Sequence, residues 1–237
     1  MTDALDEVKL ATYLSDHIDG FDGPLTATKF SGGQSNPTYK IEAKSGSYVL
    51  RSQPLGKLLK SAHAVDREFK VYQALANSDV PVPKVYHLCE DRDVMGSMFY
   101  VMSFEKGRIF WSPSLPEVEQ AERAPIYSEL IRVLAAMHDV DLEKSDLSDY
   151  GRPGSYFERQ VNRWSRQYRD SETETIDAME TLLAWLAVNM PQDDGQVSLI
   201  HGDYRIDNII FDPIEPKGLA VLDWELSTLG HPLADIA

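Results

Sequence analysis

A single cysteine, Cys89, in 237 residues excludes an intramolecular disulfide and a cysteine-built zinc cluster. Positive charge is scarce as well. Lys and Arg total 23 against 38 Asp and Glu, a formal net charge of −15. Such a field opposes non-specific attachment to nucleic acid or to an anionic membrane, so neither is an expected partner. No apolar run approaches the ~18 residues of a membrane span. Met1 to Asp6 is acidic, without the basic and apolar blocks of a signal peptide, and a cytoplasmic protein is the simplest expectation. Internal repeats and low-complexity tracts are absent, as are a Walker A sequence and a G-x-G-x-x-G. What remains is an ordinary globular composition, 43% hydrophobic, able to bury a substantial core in one large domain or two small lobes.

The informative stretch is His201-Gly202-Asp203-Tyr204-Arg205-Ile206-Asp207-Asn208, followed by Val221-Leu222-Asp223-Trp224-Glu225. It reads H-x-D-x-x-x-x-N and then an apolar run closing on a second Asp, the spacing of a kinase catalytic loop and its downstream metal-binding Asp. Phosphoryl transfer from ATP needs a carboxylate to orient and deprotonate the attacking hydroxyl, and oxygen ligands to hold Mg2+ on the phosphates. Asp203 answers the first need; Asn208 and Asp223 answer the second. A net negative chain does not forbid ATP, which depends on a local cation and magnesium. Ser198–Ile200, Ile209–Phe211 and 219–222 read as short buried strands around these residues. Asp207 and Asp212 read as turn residues, and Glu225 stays open between the metal and solvent.

The pattern along the chain changes once. Residues 5–18 suit an amphipathic helix, 25–30, 38–42 and 48–51 suit strands, and 62–76 carry Val65, Phe69, Tyr72 and Ala76 at helical spacing, which puts Glu68 on a helix. Strands over 85–88 and 97–102 follow, then a polar break at 103–107. Beyond it, Pro125 suits the first turn of a helix, and 154–168 and 174–188 are also helical in period before the catalytic strands. The expected fold is α+β and two-lobed, protein-kinase-like. Residues 1–102 form a nucleotide-binding lobe of antiparallel sheet plus one helix, and 103–237 a mostly helical catalytic lobe.

Within the first lobe, Ser31, Gly32, Gly33, Gln34, Ser35 and Asn36 lie between two strands, where a backbone could close over phosphates. Arg51 ends a strand and Glu68 sits on the next helix, the arrangement by which kinases orient a strand-borne cation at the nucleotide phosphates. Arg in place of the usual Lys keeps the charge and adds a bidentate fork. Arg67 and Lys70, flanking Glu68, are expected to face solvent. Backbone groups near Met102 and Phe104 would meet the adenine edge, with Val49, Met102 and Ile210 as apolar walls.

With these residues in place the chain resembles the aminoglycoside phosphotransferase and choline kinase-like family. The carrying motifs are Phe30 to Asn36, Val49-Leu50-Arg51, Arg67-Glu68, His201-Gly202-Asp203 with Asn208, and Leu222-Asp223-Trp224-Glu225. Residues 157–164 and 229–235 are similar to the subgroup related to the kinase-like domains of certain acyl-CoA dehydrogenases. The resemblance implies Asp203 as base, Asn208 and Asp223 as magnesium ligands, Arg51 as phosphate anchor and Glu68 as its partner. It also implies a helical lobe running on the order of a hundred residues past the second Asp, whereas this chain stops at Ala237; an incomplete C-terminal lobe is therefore expected.

The leading expectation is an ATP- and Mg2+-dependent phosphotransferase acting on the hydroxyl of a small molecule. A nucleotide-binding pseudokinase or regulatory module, and an aminoglycoside kinase, stay open beside it. A protein kinase does not fit, because neither D-F-G nor A-P-E follows Asp223. The acidic excess would attract a polycation at long range. Against that, Arg159, Arg163 and Arg166 share one helical face and suit an anionic acceptor such as a hydroxy acid or a hydroxyacyl-CoA. Oligomeric state is not legible from the sequence.

Overall fold

The structure, a computed structural model, describes residues 5–30, 36–55, 64–152 and 154–236. Alternation along the early strands builds the first lobe. Strands β1 (Leu25–Lys29), β2 (Thr38–Ala43), β3 (Gly46–Ser52), β4 (Val85–Cys89) and β5 (Phe99–Ser103) form one antiparallel sheet in the order β1-β2-β3-β5-β4. Successive side chains point to opposite faces. Tyr48, Leu50, Phe99 and Val101 therefore pack on one side with helix α1 (Glu7–His17), through Leu10 and Leu14. Val49, Tyr100 and Met102 face the other side and helix α2 (Val65–Leu75). Helix α1 starts where Asp6 caps the Lys9 amide at 3.0 Å. A four-residue helix, α3 (Arg92–Met95), which the sequence did not announce, closes on Gly96 in the left-handed region.

Helix α2 buries Val65, Glu68, Phe69, Tyr72 and Leu75 along one stripe at i, i+3, i+4, i+7 spacing, with Val71 buried beside it, so the stripe facing the sheet includes a carboxylate. Its apolar members continue into the second lobe's core, through Phe110, Ile126, Met137, Leu199, Phe211 and Trp224. Each fully buried large side chain of this kind stabilises the fold by about 1.5–3 kcal/mol.

The chain leaves the sheet after Ser103 and is pinned again at Arg108, whose backbone exchanges hydrogen bonds of 2.7 and 2.8 Å with Phe211. Gly107 is required in this crossing, since a Cβ there would lie 2.2 Å from the Phe211 carbonyl oxygen. Three longer helices follow, α4 (Gln120–His138), α5 (Tyr156–Ser171) and α6 (Asp177–Asn189). Pro125 is not in the first turn of α4, which begins five residues earlier at Gln120; residues 120–124 carry no large apolar side chain to mark that start. Two small antiparallel pairs complete the lobe. Strand β6 (Ser198–Ile200) pairs with β9 (Thr228–Gly230), and β7 (Ile209–Phe211) with β8 (Gly218–Val221). Asp212 takes the turn role expected of it, accepting from the Ile214 and Glu215 amides. Among the described residues no helix is long and apolar enough to cross a membrane.

Candidate active site

Register and helical phase bring three elements onto one guanidinium. Arg51 and Tyr100 are directly paired across β3 and β5, and both reach Glu68 on α2. Arg51 Nε and Nη2 donate to the two Glu68 oxygens at 2.9 and 3.0 Å, and the Tyr100 hydroxyl donates to Oε2 at 3.0 Å. Arg51 Nη2 also donates to Asp223 Oδ1 at 2.5 Å and lies 3.6 Å from Glu225 Oε2. Exposure decides the character of the pair. The Arg51 side chain is 12% accessible and that of Glu68 is 0%, so this is not a surface ion pair. Burial disfavours charge on Arg51, but Glu68, Tyr100 and Asp223 hold the guanidinium well above its ordinary range. Burial is the larger influence on Glu68 and pushes its carboxyl up to about 7, although Arg51 pulls it back. Three donors on a buried carboxylate, beside a cation that keeps its proton, fit an ionised Glu68.

The catalytic-loop residues meet as their spacing implied. Asn208 Nδ2 donates to the Asp203 carbonyl at 2.9 Å and to Asp203 Oδ2 at 3.3 Å. Leu222, next to Asp223, donates its amide to the Asn208 carbonyl at 2.8 Å, and β7–β8 pairing places Ile209 opposite Val221. Asn208 and Asp223 are thereby set on adjacent strand ends. Gly202 has φ of 82°, and a Cβ on it would stand 2.8 Å from the Leu226 carbonyl oxygen; the loop needs glycine here.

His201 is buried and holds the loop together. Nε2 bonds the Leu222 carbonyl at 2.9 Å and Nδ1 accepts from the Asp203 amide at 3.3 Å. This fixes a neutral tautomer with the proton on Nε2, and burial lowers the imidazole's pKa. Asp235 was not singled out from the sequence, although it lies in the 229–235 motif. Its fully buried carboxylate accepts from the His201 amide at 2.9 Å, the Gly202 amide at 2.7 Å and His138 Nε2 at 3.0 Å. An Asp a few residues past a Gly-His-Pro run was the available signal.

The other candidates are less gathered. Asn36 is buried, while Ser31, Gly32, Gly33, Gln34 and Ser35 lie outside the described residues. Met102 is buried opposite Val49, and Phe104 has Lys40 Nζ 4.9 Å from its ring centroid. Arg159 is half-buried and donates to the Arg152 carbonyl at 2.7 Å; Arg163 and Arg166 are exposed. The Arg159 guanidinium carbon lies 6.0 Å from the Tyr156 ring centroid, and burial is the leading cause of that phenol's raised pKa. Arg67 is exposed, as expected, and it also reaches the second lobe. Its guanidinium stacks on Tyr150, because α2 lies against the 148–151 loop. A cleft of about 440 Å³ on the outer side of α2, lined by Lys70, Gln73, Asn77 and Lys144 among others, contains none of the catalytic-loop residues.

Oxygen donors dominate the region that would face a nucleotide. Glu68, Asp223 and Glu225 each bring a carboxylate oxygen within 4.8 Å of the others, and the Asp223 side chain is 37% accessible. A hard, anionic oxygen set suits Mg2+ rather than a soft metal. Glu68 gives both oxygens to Arg51, whereas Asp223 gives it Oδ1 and keeps Oδ2, with Glu225 beside it.

A two-lobed α+β fold of this kind is that of kinase-like phosphotransferases. The streptomycin–ATP–APH(2'')-IIa ternary complex matches 98% of this chain and 74% of its own with a TM-score of 0.67 at 18% identity, a likeness of fold alone. The chain belongs to the phosphotransferase enzyme family (APH), whose sequence profile matches residues 26–237. A crystal structure from Ralstonia eutropha, named among the aminoglycoside phosphotransferases, is 50% identical with a TM-score of 0.89, covering 98% of this chain and 68% of that one. Acyl-CoA dehydrogenase family member 10 of Mus musculus is 49% identical over 215 residues, 91% of this chain. Acyl-CoA dehydrogenase family member 11 of Gallus gallus is 49% identical over 236 residues, 98% of this chain. The chain spans 20% of the length of the first and 30% of the second.

Proposed function

We propose that this chain is an ATP- and Mg2+-dependent kinase of a small hydroxylated molecule, with its lobes divided between residues 102 and 103. The observation that carries the reading is the buried Arg51–Glu68 pair bonded directly to Asp223, with Asn208 on Asp203 at the adjoining strand end. In this reading Arg51 binds the nucleotide phosphates, the 31–36 loop covers them, and backbone groups around Met102 and Phe104 meet the adenine. Asn208 and Asp223 would hold magnesium, which neutralises phosphate charge. Asp203 orients the acceptor hydroxyl. As its oxygen bonds to the γ-phosphorus, the bond to the ADP oxygen breaks and the hydroxyl proton passes to Asp203.

For the acceptor we infer a molecule bearing a negative group, a hydroxy acid or a hydroxyacyl-CoA. Two observations support this. Arg159 lies over Tyr156, its guanidinium carbon 6.0 Å from the ring centroid, and the Tyr156 ring packs against Gly230, five residues before Asp235, the residue that holds the His201–Gly202 backbone. The family's relatives named above also include proteins called acyl-CoA dehydrogenases. Guanidinium forks bind carboxylate or phosphate bidentately. A screen of ATP turnover against hydroxy acids, hydroxyacyl-CoAs, neutral polyols and aminoglycosides tests the reading. Fastest turnover of an anionic acceptor is expected; faster turnover of aminoglycosides would overturn the acceptor class. Nucleotide binding without transfer to any acceptor would instead favour a pseudokinase.

A further inference from the structure

We propose that Arg67, Tyr150 and Ser227 form a clasp between the lobes that positions Glu68, and through it Arg51, for the nucleotide phosphates; this rests on the nucleotide site proposed above. Arg67 immediately precedes Glu68 on α2. While Glu68 points into the sheet, Arg67 points across to the other lobe. Its guanidinium carbon lies 4.1 Å from the Tyr150 ring centroid, and Nη2 donates to the Tyr150 carbonyl at 3.0 Å and the Ser227 carbonyl at 3.5 Å. Tyr150 is 3% exposed.

From there a polar chain runs to the metal-binding segment. The Tyr150 hydroxyl and Ser227 Oγ are 2.7 Å apart, and Ser227 Oγ donates to the Trp224 carbonyl at 2.5 Å. Since the serine proton goes to Trp224, the tyrosine is the donor to Ser227. Trp224 stands between Asp223 and Glu225, the two carboxylates nearest Arg51 after Glu68. The loop carrying Tyr150 has no slack, because a Cβ on Gly151 would fall 2.6 Å from the Leu229 amide nitrogen. The clasp therefore fixes both carboxylate neighbours of Arg51, the helix that bears Glu68 and the turn that bears Asp223, in one mutual placement. The exposed Lys70–Asp149 pair at 2.8 Å runs parallel to it and adds little. Loss of the clasp would lower the fraction of molecules in which Arg51 is correctly aimed, and apparent affinity falls by that fraction.

The test compares Arg67→Gln, Arg67→Lys and Arg51→Gln with the parent chain for binding of Mg-AMP-PNP and of adenosine, alongside thermal melting. Arg67→Gln should weaken Mg-AMP-PNP about three- to tenfold and leave adenosine, which does not reach Arg51, unchanged. Arg67→Lys keeps the charge without the planar stack and fork and should recover part of the loss. In a Glu68→Gln background the Arg67→Gln effect should vanish. Should Arg67→Gln not fold, Tyr150→Phe, which keeps the ring and removes the bond to Ser227, should give a smaller loss of the same selectivity. Equal weakening of both ligands, or a lower melting temperature with no change in either affinity, would overturn the clasp. Undiminished Mg-AMP-PNP binding by Arg51→Gln, or none by the parent chain, would overturn the nucleotide site itself and the clasp with it.

Discussion

Replacing Glu68 by Gln tests whether the Arg51 pair is the buried electrostatic centre that its geometry implies. The substitution keeps volume and removes one charge. It leaves Arg51, 12% accessible, with a neutral partner where two of its N–H groups pointed. Breaking a buried pair by removing one partner costs about 3–5 kcal/mol. Asp223 at 2.5 Å and Glu225 at 3.6 Å remain to compensate the guanidinium, so the lower end, about 3 kcal/mol, is expected here. For a domain of this size that is a fall in Tm of roughly 6–12 °C. Denaturant unfolding and calorimetry on parent and variant measure it. A second consequence is separable. Freed from Glu68, Arg51 should lean further onto Asp223, so Mg-AMP-PNP affinity should drop as well. A stability change below about 1 kcal/mol, the range of exposed pairs, would refute the reasoning.

Other expectations follow from the same geometry. Asp223→Ala should cost magnesium-dependent nucleotide binding more than metal-free binding, measured by calorimetry with and without the ion, and Asn208→Ala should cost less because an amide oxygen is a neutral ligand. His201 is held neutral by burial, so as pH falls below its ordinary value near 6.5 the unfolded chain takes up the proton first. Its contribution to stability is present above that pH and is lost on acidification, by about 1.4 kcal/mol per pH unit until the folded-state imidazole titrates; His201→Gln should flatten that part of the stability–pH curve. Replacing Arg159 and Arg163 together by Gln should raise the acceptor KM with little change for ATP, read from steady-state kinetics.

The parts legible in the sequence are those fixed by short-range rules. Helical period placed Glu68 on α2, the strand pattern placed Arg51 near the end of the strand before it, and loop spacing put Asn208 beside Asp203. What escaped depends on long-range placement. Arg67 reads as one more charge on a polar helix face, and its contact with Tyr150, eighty-three positions away, is made only by the fold. Asp235 shows no role by itself until the fold brings it under His201 and Gly202. Glu225 was ambiguous for the same reason, since its 3.6 Å approach to Arg51 spans the two lobes. Pro125 misled because it is favoured in a first turn yet here sits inside α4.

Transfer of the γ-phosphate from labelled ATP to the best acceptor of the screen, measured side by side for the parent chain and Asp203→Asn, tests the central claim most directly. The base acts on the acceptor hydroxyl and not on the nucleotide. The labelled product should therefore disappear in the variant while Mg-ATP affinity stays within a few-fold of the parent. Undiminished transfer by Asp203→Asn would contradict the account.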